Sequence, residues 1–120
     1  SYGNYFSYST TPSSWTEDLT GILPHVLHDV CWSPTNGDYM FVGDDATYQT
    51  MYGVPGSWSA GSPSAQTWNG VCWSETEGIY VMVASNGTNR VMTSSAGTSW
   101  TARSAAEANS WQSVASRSPY

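Results

Sequence analysis

The sequence contains no lysine, only three arginines and two cysteines, and no long apolar run. Each shortage removes a class of function. Three cations against nine acidic residues leave a formal net charge of −6. There is no basic cluster to neutralise a phosphate backbone, so nucleic acid is not an expected partner. The same shortage removes a polybasic patch for an anionic membrane surface. Apolar stretches of a few residues fall far below the roughly 20 needed for a spanning helix, so a soluble protein is expected. Two cysteines with no histidine at ligand spacing give no zinc pattern, and no cofactor is expected. Charged residues make up 10% of the chain where about 25% is usual, and something else must fill the surface.

What is abundant is aromatic: 14% of the 120 residues, with seven Trp and eight Tyr. The tryptophans mark an internal repeat. Val30-Cys31-Trp32-Ser33 returns as Val71-Cys72-Trp73-Ser74 and, weakened, as Val114-Ala115-Ser116-Arg117, at spacings of 41 and 43. Ser14-Trp15-Thr16, Ser57-Trp58-Ser59 and Ser99-Trp100-Thr101 recur at 43 and 42. Between residues 30–51 and 71–92, ten of twenty-two positions are identical without a gap, Gly37/Gly78, Tyr39/Tyr80 and Val42/Val83 among them.

A period near 42 suits helical repeats or four-stranded β-propeller blades, and the local pattern is β. Short β-branched and aromatic segments alternate with Asn-Gly, Glu-Gly and Ser-rich turns. One unit reads as strand A over 68–73, B over 79–84, C over 89–94 and D over 99–103. The expected fold class is all-β, built of four-stranded antiparallel propeller blades. Residues 1–29 supply strands C and D of a split blade, 30–67 and 68–110 the following blades, and 111–120 a lone strand A. Roughly three blades do not close a ring, since propellers typically have 4 to 8. Completion by copies of the chain, a dimer with six blades, or by further chain is therefore expected.

At Thr93-Ser94-Ser95-Ala96-Gly97-Thr98-Ser99-Trp100-Thr101 the sequence resembles the Asp-box, or BNR, repeat of sialidase-type β-propellers, in the form found in phage, viral and environmental sequences. Looser copies end at Trp15 and Trp58, and the box departs from the family pattern in that Ala96 or its neighbour stands where the boxes carry Asp. The resemblance implies a fold more than an activity, because in sialidases the box lies opposite the ligand face. It also implies a test for catalysis: sialidases gather three arginines on their substrate. Here Arg90, Arg103 and Arg117 fall at different heights on a blade and are expected not to converge. No carboxylate pair repeats, Asp45 aligning with Asn86 and Asp29 with Gly70, so an enzyme is not expected.

All seven Trp fall on repeat positions and most are expected to pack blade on blade. Trp68 and Trp111, at the D-to-A connection, are read as the exceptions available to a ligand, while Tyr2, Tyr5, Tyr8, Tyr48 and Tyr52 are unrepeated. Cys31 and Cys72 occupy equivalent strand positions and are expected to be buried free thiols. The candidate ligand contacts, all on D-to-A or B-to-C connections, are His28, Asp29, Asp45, Trp68, Asn69, Asn86, Asn89, Arg90, Trp111 and Gln112. Amide, carboxylate and aromatic groups in that pattern suit neutral glycans, hydroxyls being hydrogen-bonded while a ring covers a sugar face. The expected function is lectin-like recognition without catalysis, in an extracellular or virion-associated protein. A structural or protein-binding propeller, and then a sialidase-like hydrolase, are the alternatives.

Overall fold

The computed structural model describes the backbone of residues 5–11, 14–19, 26–44, 49–63, 66–105, 107 and 109–117, and within these the side chains from residue 27 onward. Among the described residues ten strands are present: β1 (Tyr5–Thr11), β2 (Ser14–Leu19), β3 (Val26–Ser33), β4 (Asp38–Asp44), β5 (Thr50–Val54), β6 (Ser57–Ala60), β7 (Trp68–Ser74), β8 (Ile79–Ala84), β9 (Val91–Ser94) and β10 (Thr101–Arg103). Strands β1 and β2 form an antiparallel hairpin. The rest form two four-stranded antiparallel meanders, β3-β4-β5-β6 (sheet 1) and β7-β8-β9-β10 (sheet 2). No helix occurs among the described residues, and none is long and apolar enough to cross a membrane.

The two sheets repeat each other in detail. In the first turn of each, Gly37 and Gly78 donate their N–H groups to the carbonyls of Ser33 and Ser74 at 2.8 and 2.7 Å. Both glycines have positive φ, 69° and 66°, which a side chain would resist. The serine hydroxyls accept from the N–H groups of Asn36 and Glu77. Each first strand also carries a bulge, between Leu27 and Asp29 in β3 and between Trp68 and Gly70 in β7. The inserted residues, His28 and Asn69, are one repeat apart.

The core lies between the sheets. Sheet 1 contributes Met40 and Val42, with Cys31 and Tyr52 against them, and sheet 2 contributes Trp68, Val71, Trp73, Tyr80, Met82, Ala84 and Met92. These are apolar side chains at alternate strand positions, and complete burial of each large one is worth about 1.5–3 kcal/mol. The sheets meet chiefly through β3 and β4 against β7.

Three expected strands differ from those observed. Strand C of sheet 2 starts at Val91, because the backbone of Asn89 is taken by a side chain, as described below. Strand D starts at Thr101. Ser99 is drawn into a parallel bridge with Ser62, and the Trp100 indole donates to the Gly97 carbonyl at 3.1 Å. Residues 111–117 form no strand. They nevertheless lie on sheet 2: the Trp111 N–H donates to the Ala84 carbonyl at 3.2 Å, and the Ser116 hydroxyl to the Trp73 carbonyl. A Cβ on Gly70 would come within 2.9 Å of the Ser113 Cα, so the segment approaches β7 as closely as a glycine permits.

Candidate functional site

The candidate residues cluster at the end of the sheets where β8 turns into β9 and the chain passes from one meander to the next. Three side chains organise this end. The Gln66 amide donates through Nε2 to the Asn89 carbonyl and accepts the Asn89 N–H at 3.0 Å, pairing with it as a strand would. The Asn86 amide accepts the Thr67 N–H at 2.8 Å and donates to the Thr67 hydroxyl. Arg90 donates to three carbonyls, those of Gly87, Ser85 and Asn109, the last at 2.7 Å.

Arg90 and Gln49 are equivalent positions 41 residues apart, and they perform one task with different chemistry. Both accept at their own carbonyl from the strand before, Gly43 to Gln49 and Ala84 to Arg90. Both then reach with the side chain to the linker leaving their sheet. Gln49 Oε1 accepts the Gln66 N–H at 2.9 Å, whereas Arg90 donates to the Asn109 carbonyl. Gln49 and Gln66 were not among the expected site residues. A buried amide facing a free backbone group is the signal for such a role, and it becomes visible only once the fold shows the group.

The remaining candidates divide by what they face. Trp68 is fully buried in the core, and no face of its ring is open to a ligand. The ligand contact expected of it is corrected accordingly: the bulge that follows it turns the ring inward. Asp29 accepts the Val30 N–H and, across the sheets, the Val71 N–H at 3.0 Å. Asn69 donates to the Trp111 carbonyl at 2.9 Å. These last two bonds each span 42 residues and stitch one repeat to the next. His28 lies 3.3 Å from an Asp44 carboxylate oxygen, with its side chain partly exposed. Trp111 is half-buried, its indole N–H enclosed without a hydrogen-bond partner. Gln112 is exposed and bonds Ser110. Asp45 and the tyrosines at 2, 5, 8 and 48 lie outside the residues whose side chains are described. Tyr52 is half-buried against the core, its hydroxyl 2.8 Å from that of Thr98.

An open cleft of about 290 Å³ lies at this end of sheet 2, lined by Thr88, Asn89, Arg90, Ala102, Arg103, Ser104, Ala105 and Glu107. Arg90 and Arg103 therefore share one cavity, contrary to the expectation that the arginines stand at separate heights. Antiparallel pairing explains it. Arg103 on β10 is opposite Val91 on β9, one residue beyond Arg90, so the end of one strand meets the start of the other. Arg103 binds the Thr93 hydroxyl through Nε at 2.9 Å, and Arg117 does not line the cleft.

Both thiols are free. Burial, with Cys72 and Asp29 adding negative potential, pushes Cys31 up to about 12, and burial raises Cys72 as well against a hydrogen bond from Ser116. Neither is a ready nucleophile at neutral pH. Among the described residues, no group of three His, Cys, Asp or Glu side chains is placed to hold a metal ion.

Comparison of the chain with protein families, with curated proteins and with solved structures found no match.

Proposed function

We propose that the chain is part of a β-propeller whose blades are its four-stranded meanders, and that it acts as a non-catalytic, lectin-like recognition module for neutral glycans outside cells or on virions. The observation that carries this reading is the polar cleft of sheet 2. Its walls come from the B-to-C and D-to-A connections, and it offers a guanidinium, a carboxylate, a hydroxyl and an amide within one small volume. Such groups hydrogen-bond sugar hydroxyls from several directions. Arg90 and Asn86 serve as scaffold in this reading, because Arg90 donates to three carbonyls and Asn86 pairs with the N–H and hydroxyl of Thr67, whereas Arg103, Ser104, Glu107 and Gln112 stand toward solvent. Weak sites repeated around a ring would gain by avidity.

The test is a glycan array probed with the intact protein, followed by Arg103→Ala and Glu107→Ala. Binding to a defined set of glycans, weakened by roughly tenfold or more in either variant, is expected. An array without binding removes the reading.

One observation favours a structural or protein-binding role instead. In sheet 1 the positions equivalent to Arg103 and Ser104 are Gly61 and Ser62, and these hold the turn of the neighbouring sheet, the Ser62 N–H donating to the Thr98 carbonyl at 3.3 Å. Under that reading the cleft seats a further sheet. Arg103→Ala would then disturb association and leave any glycan binding untouched.

A further inference from the structure

Three Asn-Gly pairs occur in the chain, at 36–37, 69–70 and 86–87. Asparagine followed by glycine is prone to cyclise, because no Cβ shields the following backbone nitrogen from the side-chain carbonyl carbon. By sequence the three pairs are equal, and the structure separates them by what the glycine nitrogen does. The Gly37 N–H is held by the Ser33 carbonyl at 2.8 Å, which closes the turn that carries the pair. Gly70 lies in register with Val83 in the β7–β8 ladder, and a Cβ on it would stand 2.9 Å from the Ser113 Cα. Turning the Asn69 backbone to bring its Cγ onto the Gly70 nitrogen would disrupt that pairing. The Gly87 N–H, by contrast, has no acceptor among the described residues, and Asn86, Gly87 and Thr88 are all exposed.

The side chains differ as well. Asn36 and Asn69 are tied through Nδ2, the nitrogen that leaves on cyclisation, to the carbonyls of Ser95 and Trp111. Asn86 is held at both ends by Thr67: Oδ1 accepts the Thr67 N–H at 2.8 Å, and Nδ2 donates to the Thr67 hydroxyl at 3.1 Å. An N–H on Oδ1 stabilises the oxyanion that forms when a nitrogen adds to Cγ. A hydroxyl beside Nδ2, unlike a carbonyl, has a proton to give to departing ammonia. The glycine is itself demanded by the fold. Its φ is 83°, and a Cβ there would collide with the side-chain amide of Gln66. The pairing of Gln66 with Asn89 thus keeps at position 87 the one residue that leaves the nitrogen open.

We propose that Asn86-Gly87 is a site of spontaneous covalent modification that loosens the loop bordering the cleft. The Gly87 nitrogen, losing its proton to solvent base, adds to Cγ of Asn86. The N–Cγ bond forms, the Cγ–Nδ2 bond breaks and ammonia leaves, giving a succinimide. Water then opens the ring at either carbonyl, to aspartate or to isoaspartate, in which the main chain runs through Cβ. Water is the only co-reactant consumed. Isoaspartate lengthens the backbone between Ser85 and Asn89, whose bonds to Thr67 and Gln66 set the shape of the loop. Thr88, Asn89 and Arg90, the residues that follow, line the cleft. This inference rests on backbone and amide chemistry, and it is independent of the glycan reading.

Ageing the intact protein for days in mildly alkaline buffer at body temperature provides the test, with peptide mass spectrometry and isoaspartate methyltransferase labelling as the readout. Position 86 is expected to exchange amide for carboxyl roughly tenfold or more faster than positions 36 and 69, and the three rates are expected to converge in denaturant. Aged wild type is expected to unfold at lower urea than fresh protein, whereas Asn86→Gln, whose ring would be one atom larger, keeps its midpoint on ageing. Equal native rates at the three pairs, or faster conversion at 36 or 69, overturn the site. A protein fully converted at position 86 with an unchanged urea midpoint overturns the loosening. If Asn86→Gln does not fold, the wild-type rates in native buffer and in denaturant decide.

Discussion

Polar side chains at the end of the sheets bond backbone groups of the turns and linkers there. Gln66 pairs with both backbone groups of Asn89, so Gln66→Ala strands two partly buried polar groups. A loss of about 1–3 kcal/mol is expected for a buried group left unpaired, read from urea denaturation. Glu75 has a different setting, at an exposed turn. Its carboxylate accepts from the Thr35 hydroxyl at 2.6 Å and from the Trp73 indole, which together hold its pKa below the ordinary 4.5. Stability from these bonds is present in full above that value and is lost as pH falls through the lowered one. Glu75→Gln should therefore flatten the acid limb of the stability profile while changing little near neutrality. The thiols give a third expectation. Native protein should react with a thiol-specific disulfide reagent at pH 8 far more slowly than protein in denaturant, where both Cys31 and Cys72 are released from burial. Rapid reaction of both in the native state would contradict their placement.

At the scale of the strands, the bulges at His28 and Asn69 matter most. A bulge adds one residue to one strand and redirects the side chains around it. Here it lets Trp68 point into the core and Asn69 toward the next segment, which a regular strand would not combine with the downstream alternation of Val71 and Trp73. Trp68→Ala should consequently cost about 3–5 kcal/mol of folding stability through cavity formation, measured by denaturation. A variant that kept its stability and lost only ligand binding would restore Trp68 to the surface role its position suggests. The order A, B, C, D and the paired turns were legible in the sequence because they depend on local signals: glycine after a polar turn residue, and β-branched or aromatic residues at alternate positions. The shortening of β9 and β10 was not legible. Their missing residues are held by Gln66 and Ser62, 23 and 37 positions away in the chain.

For the molecule as a whole, stacking is governed by the period. Hydrogen bonds from Val71 to Asp29, Asn69 to Trp111 and Tyr80 to Asp38 all span 42 residues, as neighbouring copies of one unit should. Composition, repeat length, strand pattern and the unpaired state of the cysteines follow from the sequence alone, because each is set by spacing along one chain or by residue type. Tertiary structure alone decided which polar members of the repeat bond the protein itself and which line an open cleft. Asn86 and Arg90 look alike in sequence to residues that would hold a sugar, and their bonds to the protein become visible only when Thr67 and Asn109 arrive beside them. Arg103 joins Arg90 in a cleft for the converse reason, that antiparallel pairing brings together strand ends thirteen residues apart. Exposure divides Trp32 from Trp73 in the same way: the residues are identical, and only the packing of one sheet on another separates a buried face from an open one.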